Sequence, residues 1–271
     1  MKQRVLTALL ITPLAIALIL LLPTPAFAVL IAALCLLALW EWTRMAGLRD
    51  RRVRGVLLAV AAVVFWLLWH WRGTPPVWVL IGAGCAWWFV CLLWLRHFSY
   101  AAAPTRENSW LKLLVGALVV FPAWVALMQV HGSATHGHAW ALFALTQGWS
   151  ADTFAYLAGS RWGRRKLAPN ISPNKTTAGV YGALAGTAVV ATIGGWLLGV
   201  RDITLLPLIG LALLCVGFSI VGDLFESLIK RHANVKDSGV LFPGHGGVFD
   251  RLDSAFAVLP IFVIGKTLLG L

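Results

Sequence analysis

Nine apolar runs, most of them near 20 residues long, follow one another with little interruption through this chain of 271 residues. They lie near 5–22, 25–46, 55–71, 76–95, 110–130, 138–160, 177–198, 203–229 and 248–269. A helix of about 20 apolar residues matches the hydrocarbon thickness of a bilayer. A soluble domain carries about 25% charged residues, whereas this chain has 12% charged and 60% hydrophobic residues. One soluble core could not hide that much apolar surface. The expected fold class is therefore all-α, a polytopic integral membrane protein with about nine transmembrane helices in a single domain over 1–271. The 15 tryptophans suit the lipid–water boundary.

Charge orients the bundle. With the N-terminus in the cytoplasm and nine alternating spans, 19 of the 22 Lys and Arg fall on the cytoplasmic side, and only Arg72, Arg201 and Lys266 face outward. Cytoplasmic loops are enriched in Lys and Arg, and adding or removing one internal span would scramble this sorting. The same bias explains the net charge of +12 without a nucleic-acid partner, and it suits anionic lipid headgroups and phosphorylated substrates. The first run, with Lys2, Arg4 and the small-residue site Ala26-Phe27-Ala28, has features of a secretory signal. Its length and the second run directly behind it read instead as a retained span. Cys35, Cys85, Cys91 and Cys215 fall inside apolar runs and read as packing residues. The segment 131–138, HGSATHGH, lacks a Cys or acidic partner for zinc and reads as a solvated polar loop.

Against this apolar background, residues 223–253 hold five of the chain's 10 acidic residues: Asp223, Glu226, Asp237, Asp250 and Asp253. Asp223, Glu226, Ser227 and Lys230 share one face of the eighth helix by their spacing, and Asp250 and Asp253 share a face at the start of the ninth. Two acidic faces meeting at a helix hairpin make an oxygen-rich site suited to Mg²⁺. Between them, Pro243-Gly244-His245-Gly246-Gly247 forms a turn whose N–H groups can reach an anion. Lys230, Arg231, Lys236 and Arg251 supply countercharge for phosphate. Asp237, on the loop beside Lys236, reads as an organiser of that loop.

Two earlier stretches join this site. Asp152 lies within the sixth span, where a charge costs about 2.5–3.5 kcal/mol, so it is expected to face the bundle or a ligand. Tyr156, Gly159 and Gly163 continue its face. Ser172-Pro173-Asn174-Lys175-Thr176 stands just before the seventh helix, whose N-terminus is a natural seat for phosphate. Metal carboxylates, a glycine turn and basic residues are the parts that phosphoryl-type transfer requires.

The pattern Ser227-Leu228-Ile229-Lys230-Arg231, four residues, Lys236-Asp237, then His245-Gly246-Gly247-Val248-Phe249-Asp250-Arg251-Leu252-Asp253 resembles the signature of the CDP-diacylglycerol synthase (phosphatidate cytidylyltransferase) family. The resemblance extends to Asp152-Thr153-Phe154-Ala155-Tyr156 with Gly159 and to Ser172-Pro173-Asn174-Lys175-Thr176, covering roughly 145–271. Thr177 and Ala178 depart from it, since family members commonly carry an aromatic and an acidic or amide residue there. The resemblance implies a membrane enzyme, usually a homodimer, that joins CTP and phosphatidate to give CDP-diacylglycerol and pyrophosphate. It implies metal ligation by Asp223, Asp250 and Asp253, with Mg²⁺ and K⁺ as a candidate companion.

The expected roles follow. Asp223, Ser227, Lys230, Arg231, His245, Asp250 and Asp253 are the catalytic set. Lys175, Ser172, Thr176, Lys236, Gly246, Gly247, Arg251, Asp152 and Tyr156 bind nucleotide and phosphate. Residues 1–135 supply variable N-terminal helices and 136–271 the catalytic ones. The protein is expected in a bacterial inner membrane among membrane lipids, its active site facing the cytoplasm. A CTP-dependent kinase of a polyprenol-like alcohol and a transporter of an anionic substrate are the alternatives.

Overall fold

The structure, a computed structural model, describes residues 2–241 and 246–271, with residues 2–11 described as helix backbone only. His245, with Pro243 and Gly244, lies outside the described residues. The described chain forms nine α-helices: α1 (Lys2–Leu21), α2 (Thr24–Met45), α3 (Arg51–His70), α4 (Pro75–Arg96), α5 (Arg106–His131), α6 (Gly137–Trp162), α7 (Thr177–Leu197), α8 (Leu205–His232) and α9 (Phe249–Leu268). Six of them, α2, α3, α4, α5, α7 and α8, are long and apolar enough to cross a membrane. The helices α6 and α9 are diluted by the polar residues they carry, among them Asp152, Asp250 and Asp253.

The connections α2–α3, α4–α5, α6–α7 and α8–α9 gather at one end of the bundle. Arg44 Nη2 donates to the Ser238 carbonyl across 2.7 Å, His232 Nε2 lies 2.6 Å from the Phe98 carbonyl, and Lys175 forms an ion pair with Asp223. Beneath this end lies an aromatic floor. The Trp42 ring stacks on Phe249 at 4.9 Å and sits 6.0 Å from Phe225, while its indole N–H donates to the Lys112 carbonyl at 2.7 Å. Helices α2, α8 and α9 are thereby held in one packed unit.

Two expectations need correction. The all-α expectation is incomplete at the α6–α7 connection. This connection folds into a two-stranded antiparallel sheet, β1 (Lys166–Ala168) with β2 (Ser172–Thr176), with Lys166 opposite Thr176 and Ala168 opposite Ser172. Pairing satisfies backbone groups between two helix ends, and buried Ile171 anchors the turn. Thr176 then caps α7, its hydroxyl accepting from the Gly179 N–H at 3.2 Å.

The second correction concerns residues 131–138, where His131 is buried. Its ring is sandwiched between Phe27 (4.2 Å) and His138 (4.0 Å). Its Nε2 lies 2.9 Å from the Ile19 carbonyl, which can only accept, and its Nδ1 lies 3.0 Å from the Thr24 hydroxyl. This histidine joins α5 to the break between α1 and α2.

Packing of α6 on α7 is close enough to exclude side chains. A Cβ at Gly182 would come within 2.7 Å of the Phe154 carbonyl oxygen, one at Gly179 within 3.0 Å of the Ala155 carbonyl oxygen, and one at Gly186 would enter the Phe154 ring. Small residues let membrane helices approach until their backbones touch, and here that approach sets Asp152 and Tyr156 beside β2. Gly182→Val should therefore destabilise the bundle by about 1–3 kcal/mol, read as a lowered melting temperature of the detergent-purified protein. An unchanged melting temperature would show that α6 and α7 can separate freely.

Candidate active site

Between α6, β2, α7 and α8 lies a cavity of about 440 Å³. Asp152, Tyr156 and Ser160 line it from α6, Asn174, Lys175 and Thr176 from β2, and Asp223 from α8. Each wall has a local cause. Asp152 and Tyr156 are one helical turn apart and face the same way. Lys175 is carried in by the hairpin and held there by its ion pair with Asp223. The sequence-predicted residues Asp152, Tyr156, Lys175, Thr176 and Asp223 are thus brought into one cavity, although 71 positions separate Asp152 from Asp223.

Below Asp223, the same face of α8 presents Glu226, and α9 presents Asp253. Carboxylate oxygens of Asp223, Glu226 and Asp253 lie within 4.8 Å of one another. Glu226 is buried, and its Oε1 has no hydrogen-bond partner among the described residues although its Oε2 accepts from Lys230 at 2.9 Å. A buried carboxylate oxygen without a donor is costly. Together with two neighbouring carboxylates it offers an all-oxygen donor set of the kind a hard divalent cation takes. These residues therefore fit Mg²⁺.

Asp250 is placed differently from the grouping its spacing suggested. Its Oδ1 accepts from Lys230 Nζ at 2.7 Å, and its Oδ2 accepts from the Ser238 N–H at 2.9 Å and the Gly247 N–H at 2.7 Å. With both oxygens occupied, Asp250 ties α8, the Gly246-Gly247 turn and the loop before it together. Glu226, and not Asp250, stands with Asp223 and Asp253. Lys230 bridges the two groups, paired with Glu226 on one side and Asp250 on the other.

The remaining predicted residues surround this centre. Ser227 Oγ lies 3.5 Å from Asp223 Oδ1, a contact at the outer limit of a hydrogen bond. Gly246 adopts φ +85°, and a Cβ there would overlap the Asp250 carboxylate, so only glycine passes. Arg231, Lys236 and Arg251 are exposed at the same end of the bundle. Ser172 pairs with Ala168 in the hairpin and does not line the cavity. Glu226, read from its spacing as part of the acidic face but not among the expected metal ligands, groups with Asp223 and Asp253, and one residue in contact with this region escaped the sequence reading, Glu41 on α2. Glu41 had one available signal, a lone acid inside an apolar run.

Comparison with known proteins identifies the family. A model of the cytidylyltransferase family matches residues 2–268. A phosphatidate cytidylyltransferase of Pseudomonas aeruginosa is 38% identical over 263 residues, covering 97% of this chain and 95% of the relative. One from Haemophilus influenzae is 34% identical over 281 residues, covering 97% of each. One from Bacillus subtilis is 31% identical over 265 residues, covering 96% of this chain and 95% of the relative. The matches run across the N-terminal helices as well as the charged C-terminal half, and the chain belongs to the cytidylyltransferase family.

Proposed function

We propose that the protein is a phosphatidate cytidylyltransferase, converting CTP and phosphatidate to CDP-diacylglycerol and pyrophosphate. The observation that carries this reading is the cavity holding Lys175 and Asp223 directly beside the Asp223–Glu226–Asp253 carboxylate group. The cavity is a site for a polyanion at the end of an apolar bundle, which is where a lipid phosphate and a nucleotide can meet.

A phosphatidate phosphate oxygen attacks the α-phosphorus of CTP. A new P–O–P linkage forms as the bond from the α-phosphorus to the bridging oxygen breaks, and pyrophosphate leaves with the electron pair. The nucleophile is already an anion near neutral pH, so no strong general base is needed. The chief barrier is repulsion between two polyanions. Lys175 at the cavity wall supplies fixed positive charge toward the phosphates, and Lys230 offsets the charge of Glu226 and Asp250 behind it, in surroundings where such charge is worth more than in water. Asp223, Glu226 and Asp253 would hold Mg²⁺, which when bound neutralises phosphate charge and polarises phosphoryl oxygens. Asp250 keeps Lys230 oriented, and the glycines at 246 and 247 leave room for the carboxylates of Asp250 and Glu41.

The nine helices are read as nine crossings, with the N-terminus and the gathered connections in the cytoplasm. This orientation is supported by the clustering of Arg44, Lys175, Lys230, Arg231 and Lys236 at that end. A bacterial inner membrane is the setting this implies, and a homodimer is the assembly carried over from the family resemblance. Tyr156, which lines the cavity and is exposed on α6, with the exposed Leu157 next to it in sequence, gives a lipid substrate a lateral approach.

Purified protein given phosphatidate and CTP should transfer label from the α-phosphate into lipid and release γ-label as pyrophosphate. Lipid carrying γ-label would identify a lipid kinase instead, and the absence of labelled lipid would leave a transporter. EDTA should abolish the reaction and Mg²⁺ restore it. Glu226→Gln and Lys175→Gln should each lower kcat by about 10²–10³ with the protein still folded by its melting profile. Near-wild-type turnover in either variant would remove that residue from the site.

A further inference from the structure

Helix α2 belongs to the N-terminal half and carries none of the signature residues, yet its Glu41 reaches the start of α9. Glu41 is 8% exposed, flanked by Trp40 and Trp42 in an otherwise apolar run. A buried carboxylate needs several donors to offset its lost hydration. All the donors described for it come from the α8–α9 connection and the first residue of α9. Its Oε1 accepts from the Val248 N–H at 3.0 Å, and its Oε2 accepts from the Phe249 N–H at 2.8 Å and the Ser238 hydroxyl at 2.8 Å.

These bonds have two consequences. First, Val248, at the N-cap position of α9, makes no side-chain cap hydrogen bond. The first N–H groups of a helix have no partner within it, and here Glu41 serves them from 207 positions away, with its negative charge at the positive end of the helix dipole. Second, Glu41 is connected to the reaction centre. Ser238 donates its hydroxyl to Glu41, donates its N–H to Asp250 Oδ2 at 2.9 Å, and its Oγ accepts from the Asp250 N–H at 3.3 Å. Arg44, one turn along α2, donates to the Ser238 carbonyl at 2.7 Å. Asp250 in turn orients Lys230. The backbone closes so tightly on the carboxylate that a Cβ at Gly239 or Gly247 would overlap it.

We infer that Glu41 is a positioning residue for cytidylyl transfer: through Ser238 and the first turn of α9 it sets Asp250, Lys230 and the Gly246-Gly247 turn. This inference rests on the proposed activity and assigns α2 to the catalytic unit.

Glutamine is the discriminating substitution. It keeps the volume but turns one acceptor oxygen into an NH₂ donor. Three donors converge on Glu41, so in Glu41→Gln at least one N–H or O–H must face another donor. Glu41→Gln should lower kcat by about 10- to 100-fold, the usual effect of removing a group that orients a metal site, while the KM for CTP changes by less than about threefold. Hydrogen–deuterium exchange should accelerate over 238–250 with α5 unchanged. Ser238→Ala should act in the same direction, and the double variant should lose less than the product of the two single losses, because both act through one network.

Wild-type kcat in Glu41→Gln overturns the inference. So does uniform loss of exchange protection across the bundle, which would make the residue merely structural. Should the wild-type protein make no CDP-diacylglycerol, the proposed activity fails, and the exchange pattern over 238–250 still decides whether Glu41 holds that segment.

Discussion

A charged side chain inside an apolar helix bundle has to be answered by an opposite charge or by several hydrogen bonds. The site end of this protein is organised around that requirement. Lys175 meets Asp223, Lys230 is shared by Glu226 and Asp250, and Glu41 takes three donors from the α8–α9 connection and the first residue of α9. Apart from the Lys230–Glu226 pair within α8, each of these links joins residues from different elements. Charge compensation therefore also fixes the relative positions of α2, the hairpin, α8 and α9. One oxygen, Glu226 Oε1, remains unanswered by the described residues, and it lies beside two further carboxylates. That imbalance is where the proposed divalent cation would be held.

Packing supplies what charge cannot. The glycines of α7 let its backbone lie against α6, which carries the hairpin over the cavity and puts Lys175 within reach of Asp223. On the other side, the stack of Trp42 on Phe249 presses α2 against α9 just below the charged network. The apolar contacts hold the walls at a fixed spacing, and the charged contacts set the side chains within it. A one-residue change on either side would be felt at the other, because Glu41 and Trp42 are neighbours on the same helix.

The sequence was most legible where a single local rule suffices. Apolar runs of about 20 residues announce helices without any tertiary information, and the run of acids and bases in 223–253 marks the site because the surrounding chain carries so little charge. Spacing also placed Asp223 and Glu226 on one face of α8. It could not report that the Asp250 oxygens are taken by Lys230 and two backbone N–H groups, since helical periodicity says which residues share a face and not which of their oxygens are occupied. The hairpin was missed because three paired residues between two helices leave no periodic signal. His131 was read as solvated from its polar neighbours, whereas its position at the end of α5 puts it against Phe27. Glu41 was overlooked because its partners are about 200 positions away, and no local pattern reports a contact of that kind.

The most direct test of this arrangement is the position of a bound divalent cation. Anomalous diffraction from crystals of the protein grown with Mn²⁺ would locate it. The account predicts a peak among the carboxylates of Asp223, Glu226 and Asp253, with Asp250 still bonded to Lys230 and Ser238. A peak ligated by Asp250 while Glu226 remains outside its coordination, or no peak in this region at all, would contradict it.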